Sequence, residues 1–144
     1  MTVMPSIVTG RSWTARAGLH DGTPMSRPFP RRGELYWVDL DPTVGSEIAK
    51  TRPCLIVSND IGNQYAGRVI VAPLTTGGID RVYPFEVLIP AGAGGTAQAS
   101  KVLLDQVRSV DKRRLGRRIG VLEDTLMRDV NRAIRLSLAV NFDD

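Results

Sequence analysis

The sequence predicts a mainly β fold with one helix, arranged as a small, strongly curved β-barrel against which the helix packs. Short segments rich in β-branched and aromatic residues recur between residues 33 and 122, separated by loops that contain Gly, Pro and Asp. Such residues suit a pleated, half-buried surface. Sustained helical periodicity lies at the C-terminal end. Short strands followed by one closing helix indicate this architecture, and 144 residues can bury one core without disulfides.

The strands are placed by their apolar and β-branched content. Residues 35–40 and 54–58 predict the first two strands, and the polar loop between them is longer than a tight hairpin needs. Long loops in compact domains are usually functional or disordered. Residues 69–74 form a continuous apolar run, typical of a strand buried on both faces. Three later strands are predicted at residues 85–89, 101–107 and 117–122.

The connections between these strands, and the helix that follows them, are predicted from other features of the sequence. Residues 59–67 predict a turn-rich connection with room for one helical turn. The glycine-rich residues 89–97 lack the Gly-Lys-Ser/Thr ending of a phosphate loop, so we interpret them as a flexible hairpin loop. Leu126, Val130 and Leu138 recur at helical spacing, which predicts a core-packing helix.

The N-terminal part differs from the rest of the chain. Residues 1–31 mix Thr, Ser, Gly, Pro and Arg without periodicity, so we predict a disordered extension before a single domain at residues 32–144. Met25 is an alternative start of the functional chain. Residues 1–32 also supply the whole net charge of +4, since later charges balance. A solvated end and a basic arm for nucleic acid are both open interpretations.

Few residues suited to redox or metal chemistry are available. Cys54 is the single cysteine and lies beside apolar residues, which indicates a buried, inert thiol and fits a reducing compartment. His20, the single histidine, lies in the extension, so a two-histidine ribonuclease is excluded. No spacing of His, Cys or paired carboxylates suggests a metal site, so we expect no metal and no cofactor. Without a membrane-length apolar run or a signal peptide, we expect a cytoplasmic protein with no membrane partner.

A basic cluster, defined here as residues 108–118, contains six cationic side chains and one acidic residue. Its cations are Arg108, Lys112, Arg113, Arg114, Arg117 and Arg118. Such a cluster can be a solvated charged turn or a patch that attracts phosphate. A DNA-binding regulator is the less favoured possibility, because no helix–turn–helix pattern accompanies the cluster.

The body of the chain, from Arg32 to Val140, resembles the MazF/PemK-type toxins of bacterial toxin–antitoxin systems. No single motif is decisive, but the order and spacing of the whole series are specific. The series consists of GELYWVDLDP at 33–42, GSE at 45–47, RP at 52–53, VSND at 57–60, VAPLT at 71–75, YPF at 83–85 and LDQVRSV at 104–110. The segment before Met25 falls outside the resemblance.

The resemblance implies a fold, a reaction and partners. The fold is an SH3-like barrel of the CcdB/MazF/PemK type closed by a C-terminal helix, and the assembly is a homodimer. The implied activity is a metal-independent endoribonuclease that cuts single-stranded RNA, including mRNA, selectively, leaving a 2′,3′-cyclic phosphate and a 5′-hydroxyl. A cognate antitoxin protein restrains it in the bacterial cytoplasm. Since related folds also host toxins that bind a protein target such as a topoisomerase, that is the alternative function.

The resemblance also implies the site residues. Arg52, Thr75 and Glu47 are the implied catalytic residues. The implied RNA-binding residues are Gly45, Ser46, Lys50, Thr76, Gln106 and Arg108. A guanidinium resists deprotonation but suits clamping of a phosphate. Glu47 can accept the 2′-hydroxyl proton and Thr75 can donate to a phosphoryl oxygen, and the division of these roles is open. Thr51 stands where some relatives carry histidine, so it offers no base.

Each of these residues also has a purely structural interpretation. Arg52 could form a surface ion pair with Glu47, which would contribute little stability. Thr75 could simply begin the turn that follows its strand. Tyr36 and Trp37 are expected in the core and at an interface rather than as platforms for stacked bases. The family resemblance favours the catalytic interpretation of Arg52 and Thr75.

Removing residues 1–24 should leave folding and RNA cleavage unchanged, because the extension lacks the periodicity of a packed element. The comparison is between the full chain and one begun at Met25, in a thermal melt and an RNA cleavage assay. A large loss of cleavage at an unchanged melting temperature would show that the basic arm contributes to RNA binding.

Overall fold

The structure, a computed structural model, describes residues 28–141. The predicted extension therefore lies outside the described residues except for residues 28–31, and Met25 lies outside them as well. The strands are β1 (Glu34–Asp39), β2 (Thr51–Ile56), β3 (Arg68–Thr75), β4 (Glu86–Ile89), β5 (Ser100–Leu103), β6 (Arg108–Asp111) and β7 (Leu115–Val121). The α-helices are α1 (Asp60–Tyr65) and α2 (Asp124–Leu138), and 3₁₀ turns occupy Ala93–Gly95, Leu104–Gln106 and Lys112–Arg114. No helix within residues 28–141 has the length and apolar character to cross a membrane.

The strands form one antiparallel sheet in the order β4-β5-β3-β2-β1-β7, with β6 paired to β3 outside this sequence. β3 is the central strand: Arg68 to Val71 pair with β6, whereas Leu74 and Thr75 pair with β5. The mainly β fold with a C-terminal helix is confirmed. Among the described residues no pairing joins the terminal strands β4 and β7, so a closed barrel stays a prediction.

Both faces of the central strands are buried. In β2, Leu55 contributes to a first core cluster, while its neighbours Cys54 and Ile56 contribute to a second. This alternation follows from the two-residue period of side chains along a strand. In β3, Val71 and Ala72 divide between the two clusters in the same way. Burial on both faces explains the apolar residues 71–74, as predicted, whereas Ile70 within the predicted run 69–74 is 43% exposed.

The first core cluster lies between the sheet and α2. Val130 and Ala133 of the helix are fully buried in it, and Leu126, Met127 and Ile134 pack against its edge. The predicted amphipathic helix is confirmed by these contacts. Helix α1, one short element within residues 59–67, matches the single helical turn expected there.

The region from residue 101 to residue 118 departs from the prediction. The expected strand at 101–107 ends at Leu103, because Leu104 to Gln106 turn into a 3₁₀ segment that buries Leu104 completely. The basic cluster, expected as a turn, contains strand β6. In β6 only Val110 is buried. A single inward residue produces no alternation from which a strand could be predicted.

The glycine-rich connection between β4 and β5 is a hairpin loop, as predicted, since these strands pair antiparallel. Its glycines are required by close packing. A Cβ on Gly94 would lie 2.5 Å from Leu35 Cδ1, and one on Gly95 would lie 2.6 Å from the carbonyl oxygen of Ile119. Both glycines also have positive φ angles, 63° and 87°, which side chains disfavour. The loop is therefore held against β1 and β7.

A buried ion pair lies under the loop at residues 76–85. Lys101 Nζ is 2.8 Å from Glu86 Oε1, and the two side chains are only 9% and 8% exposed. Lys101 also donates to the carbonyl oxygen of Arg81 at 3.0 Å, and Glu86 accepts from the Tyr83 backbone N–H at 3.1 Å. Since Lys101 pairs with Thr75 in the sheet register, these bonds hold the loop beside the end of β3.

Replacing Lys101 with Met should lower the free energy of unfolding by about 3–5 kcal/mol, because Glu86 would keep a buried charge without a partner. The double variant Lys101→Met/Glu86→Leu should recover most of this loss, since no unpaired charge remains. Chemical unfolding followed by tryptophan fluorescence measures both. As a control, Arg132→Ala removes an exposed pair with Asp129 and should change stability little. A Lys101 variant as mild as this control would contradict the prediction.

Candidate functional site

A cavity of about 430 Å³ lies where β2 begins and β3 ends. Because the two strands are antiparallel neighbours, the start of one lies beside the end of the other. The cavity is lined by Trp37 of β1, by Lys50 to Pro53, by Leu74 to Thr76, by residues of the β4–β5 connection up to Ser100, and by Arg117 and Ile119 of β7. Arg52 and Thr75, which are far apart in sequence, therefore line the same cavity.

The Arg52 guanidinium is fixed by one bond to its own loop. Its Nε donates to the carbonyl oxygen of Ala49 at 2.8 Å, and the residue is half-buried. Within residues 28–141, Arg52 forms no ion pair, so the expected alternative of a pair with Glu47 is not observed. A guanidinium has five N–H donors in a planar fork. The terminal NH₂ groups of Arg52 consequently remain available to an anionic ligand in the cavity.

Thr75 closes a turn and still has a hydroxyl proton that can donate a hydrogen bond. Its Oγ1 accepts a 3.1 Å hydrogen bond from the Gly77 backbone N–H, which begins the turn after β3. This bond uses the oxygen as an acceptor and leaves the hydroxyl proton to donate elsewhere. The turn-forming interpretation is thus confirmed, and it does not compete with donation to a ligand.

Glu47 occupies a different part of the β1–β2 loop. Its carboxylate accepts from the Val44 backbone N–H at 2.8 Å, and its own N–H donates to the Val44 carbonyl oxygen at 3.1 Å. Glu47, Gly45 and Ser46 are exposed and lie outside the cavity lining. The observed function of the Glu47 carboxylate is to close a turn, and its predicted role as a base stays a prediction.

Lys50 lines the cavity and has an unusual backbone. Its φ of 74° is positive, which is uncommon for a residue other than glycine. The conformation is held because the Lys50 N–H donates to Asp41 Oδ1 at 3.1 Å and its carbonyl oxygen accepts from the Leu40 N–H at 3.0 Å. Strained residues of this kind cluster at ligand sites. The fold therefore positions Lys50 beside Arg52 at a cost in backbone energy.

Gln106 and Arg108 support the β1–β2 loop from behind. Gln106 Oε1 accepts from the Ile48 N–H at 2.8 Å, and Arg108 Nη1 donates to the Leu40 carbonyl oxygen at 3.0 Å. Both residues lie outside the cavity lining. Their observed contacts are to the loop, so their predicted contact with RNA stays a prediction.

Trp37 and Arg117 are cavity residues that the sequence reasoning did not place there. Trp37 is half-buried and lines the cavity rather than either core cluster, whereas Tyr36 packs against the second cluster as expected. Trp37 lies directly opposite Pro53 in the β1–β2 register. Its position beside Arg52 follows from this register, which the sequence does not specify.

The electrostatics of the cavity favour an anion. Its lining residues include the cations Lys50, Arg52 and Arg117 and no Asp or Glu. A concave site with one sign of charge concentrates ligands of the opposite sign. Hydroxyl groups of Thr51, Thr75 and other lining residues add neutral donors. The cavity is thus suited to a phosphate-bearing ligand.

Cys54 is not a nucleophile of this site. Burial raises the pKa of the Cys54 thiol to about 12, against the weaker lowering effect of the Arg108 and Arg52 charges. The thiol is therefore protonated at neutral pH and points into the second core cluster. Within the described part of the chain, no group of three or more His, Cys, Asp or Glu residues has metal-binding geometry. The reactive groups of the cavity are arginine, lysine and hydroxyl.

Comparisons with known proteins identify relatives of the chain in one toxin family. The family model for the PemK-like, MazF-like toxin of type II toxin–antitoxin systems matches residues 31–138. The endoribonuclease EndoA of Bacillus subtilis is 41% identical over 110 residues, covering 76% of this chain and 95% of that protein. MazF from Deinococcus radiodurans has a TM-score of 0.69 at 29% identity, covering 79% of this chain and 100% of that one. An endoribonuclease from Mycobacterial species, solved with its cognate antitoxin, has a TM-score of 0.65 at 26% identity, covering 78% and 98%.

Proposed function

The chain belongs to the PemK-like, MazF-like toxins of type II toxin–antitoxin systems, and from this premise we propose that it is an endoribonuclease of the bacterial cytoplasm. Its substrate is single-stranded RNA, mRNA in particular, and the domain at residues 32–144 carries the activity. One observation supports the assignment of the site above all others. Arg52 and Thr75 line one cavity that contains cations and hydroxyls but no carboxylate.

The proposed reaction is an attack of a ribose 2′-oxygen on the adjacent phosphorus. The bond between O2′ and phosphorus forms, the bond to O5′ breaks, and the products are a 2′,3′-cyclic phosphate and a 5′-hydroxyl. The 2′-hydroxyl loses a proton and the leaving 5′-oxygen gains one. Negative charge accumulates on the phosphoryl oxygens in between, and donors aimed at that charge accelerate the step.

In this proposal, Arg52 and Thr75 stabilise this charge. The terminal NH₂ groups of Arg52 match two phosphoryl oxygens in a bidentate contact, and its Nε bond to Ala49 holds the fork in position. The Thr75 hydroxyl donates to a further phosphoryl oxygen. Lys50 and Thr76, also in the lining, contact the flanking RNA backbone. No step in this scheme uses a metal ion or cofactor.

The partners follow from the family. The mycobacterial relative was solved with its cognate antitoxin, and we assign to this chain a cognate antitoxin that blocks RNA cleavage. We also propose a homodimer, because a single small domain offers little concave surface for an RNA strand. A toxin that binds a protein target without cutting RNA is the less favoured function, since it leaves the shared cavity of Arg52 and Thr75 unexplained.

Purified protein should cleave a long single-stranded RNA at a limited set of sequences in excess EDTA, because the proposed scheme needs no metal. The products should carry 2′,3′-cyclic phosphate and 5′-hydroxyl ends, which end-specific ligation and phosphorylation assays identify. Cleavage that disappears with EDTA and returns with magnesium would refute the mechanism. An absence of any cleavage would refute the function.

Arg52→Ala should lower the single-turnover cleavage rate by about two to three orders of magnitude, since one donor to the transition state is lost. RNA binding should weaken only modestly, because the contribution is made mainly in the transition state. Arg52→Lys should rescue poorly, as an ammonium lacks the planar fork. Thermal melts of each variant verify the fold. Near-normal rates in a folded Arg52→Ala protein would remove Arg52 from the site.

Glu47→Gln tests the predicted base within the same loop. Glutamine retains an oxygen that accepts the Val44 N–H bond, so the turn persists while the carboxylate base is removed. If Glu47 accepts the 2′-hydroxyl proton, the cleavage rate should fall by about two to four orders of magnitude, the usual contribution of a general base. Near-normal cleavage would show that Glu47, which lies outside the cavity lining, serves only the turn.

A further inference from the structure

Some cationic side chains of the basic cluster at residues 108–118 bind other groups within the described part of the chain, and others do not. Arg108 donates to the Leu40 carbonyl oxygen, and Arg114 Nη1 donates to the carbonyl oxygens of Asp39, at 3.0 Å, and Asp41. These two arginines therefore hold the first residues of the β1–β2 loop. They are part of the architecture of the site.

Two further arginines of the cluster form ion pairs with acidic side chains. Arg113 Nε is 3.0 Å from Asp111 Oδ1, and Arg118 Nε is 2.8 Å from Glu34 Oε2. Lys112 is half-buried and lies outside the cavity lining. Most cations of the cluster are therefore held by hydrogen bonds or ion pairs within the described part of the chain.

Arg117 differs from all of these residues. It is exposed, it forms no hydrogen bond or ion pair with residues 28–141, and it lines the cavity that contains Arg52. The neighbouring Gly116 lets β7 approach β1 closely, since a Cβ there would lie 3.3 Å from the Trp37 carbonyl oxygen. The β1–β7 register shifts within the stretch that contains this point, between Tyr36 and Val38, and again between Leu35 and Tyr36. The fold therefore directs one unpaired cation of the cluster to the cavity.

Arg117 and Arg52 lie on strands separated by β1. Strands two apart in a sheet are about 10 Å apart, which is more than the width of one phosphate group. Trp37 occupies the intervening strand within the same cavity. Grooves that combine cations with an aromatic side chain are typical of surfaces that follow a single nucleic-acid strand.

We propose that Arg117 binds a second phosphate of the RNA backbone, next to the phosphate that Arg52 contacts. This inference rests on the proposed function and adds a binding residue to the site. Arg117 positions the strand by contacting a phosphate that does not react. Its contribution therefore appears in affinity and in salt dependence rather than in the rate of the bound complex.

The test compares Arg117→Gln with Arg118→Gln, which removes one charge from the adjacent position of the same strand but outside the cavity lining. The probe is a labelled pool of short random-sequence 2′-O-methyl RNA, which binds but cannot be cut through a 2′-hydroxyl. Arg117→Gln should raise the Kd about tenfold, the usual effect of losing a charge-assisted contact. It should also reduce the slope of log Kd against log salt by about 0.7, the value for one phosphate contact on a single strand. Arg118→Gln should change neither quantity.

Cleavage kinetics separate this inference from the proposed function. With cleavable RNA, Arg117→Gln should raise KM with little change in kcat, whereas Arg52→Ala should lower kcat. Wild-type affinity and salt slope in a folded Arg117→Gln protein would overturn the inference, and so would equal effects in the two glutamine variants. If wild-type protein cleaves RNA and Arg52→Ala abolishes cleavage, the proposed function stands even when the Arg117 inference fails. A wild-type protein that neither binds nor cuts RNA would overturn both.

Discussion

The burial of residues 71–74 of β3 on both faces is the constraint on which the rest of the structure depends. This strand contributes Val71 to one core cluster and Leu74 to the other, and it pairs with β2, β5 and β6. A strand whose second half is covered on both faces has little freedom to slip, because a shift of one residue would exchange the clusters. Thr75 is its last residue. The position of the site hydroxyl is therefore fixed by core packing.

Polar contacts then set the shape of the β1–β2 loop, which carries Lys50 and leads into Arg52. Gln106 and Arg108 bind the loop backbone from behind, Arg114 binds its first residues, and Glu47 closes a turn within it. Each contact satisfies a loop backbone group that core packing does not reach. Several side chains that look available for RNA in the sequence are thus used to shape the loop, whereas Lys50, Arg52 and Arg117, which form no ion pair within residues 28–141, line the cavity.

The opposite wall of the cavity is held by close packing at glycines and by a buried ion pair. Gly94 and Gly95 let the β4–β5 connection lie directly against β1 and β7, and the buried pair of Lys101 and Glu86 holds the loop after β3. A buried ion pair is costly unless both charges are satisfied, and here the additional bonds to Arg81 and Tyr83 satisfy them. Both devices restrict the motion of cavity residues. Such pre-organisation is what a site that stabilises developing charge requires.

The sequence by itself determined the mainly β fold, the closing helix, the apolar central strands, the inert Cys54 and the family. These features are local or depend on order along the chain: the period of apolar residues, the neighbours of one cysteine, and a series of motifs at specific spacings. The resemblance also selected Arg52 and Thr75 before their shared cavity was known. None of this required knowledge of which residues face each other across the sheet.

Only the tertiary structure decided the roles of individual charges. Arg108, Arg117 and Arg118 have the same side chain and lie close together in the sequence, yet they bind a loop carbonyl, line the cavity and pair with Glu34, respectively. The difference arises from strand register and from the direction of each Cβ, which depend on partners up to 84 residues away. The same reason explains why Trp37 lines the cavity and why β6 was not predicted. The positions of these residues depend on long-range strand pairing, which the chemistry of their side chains does not reveal.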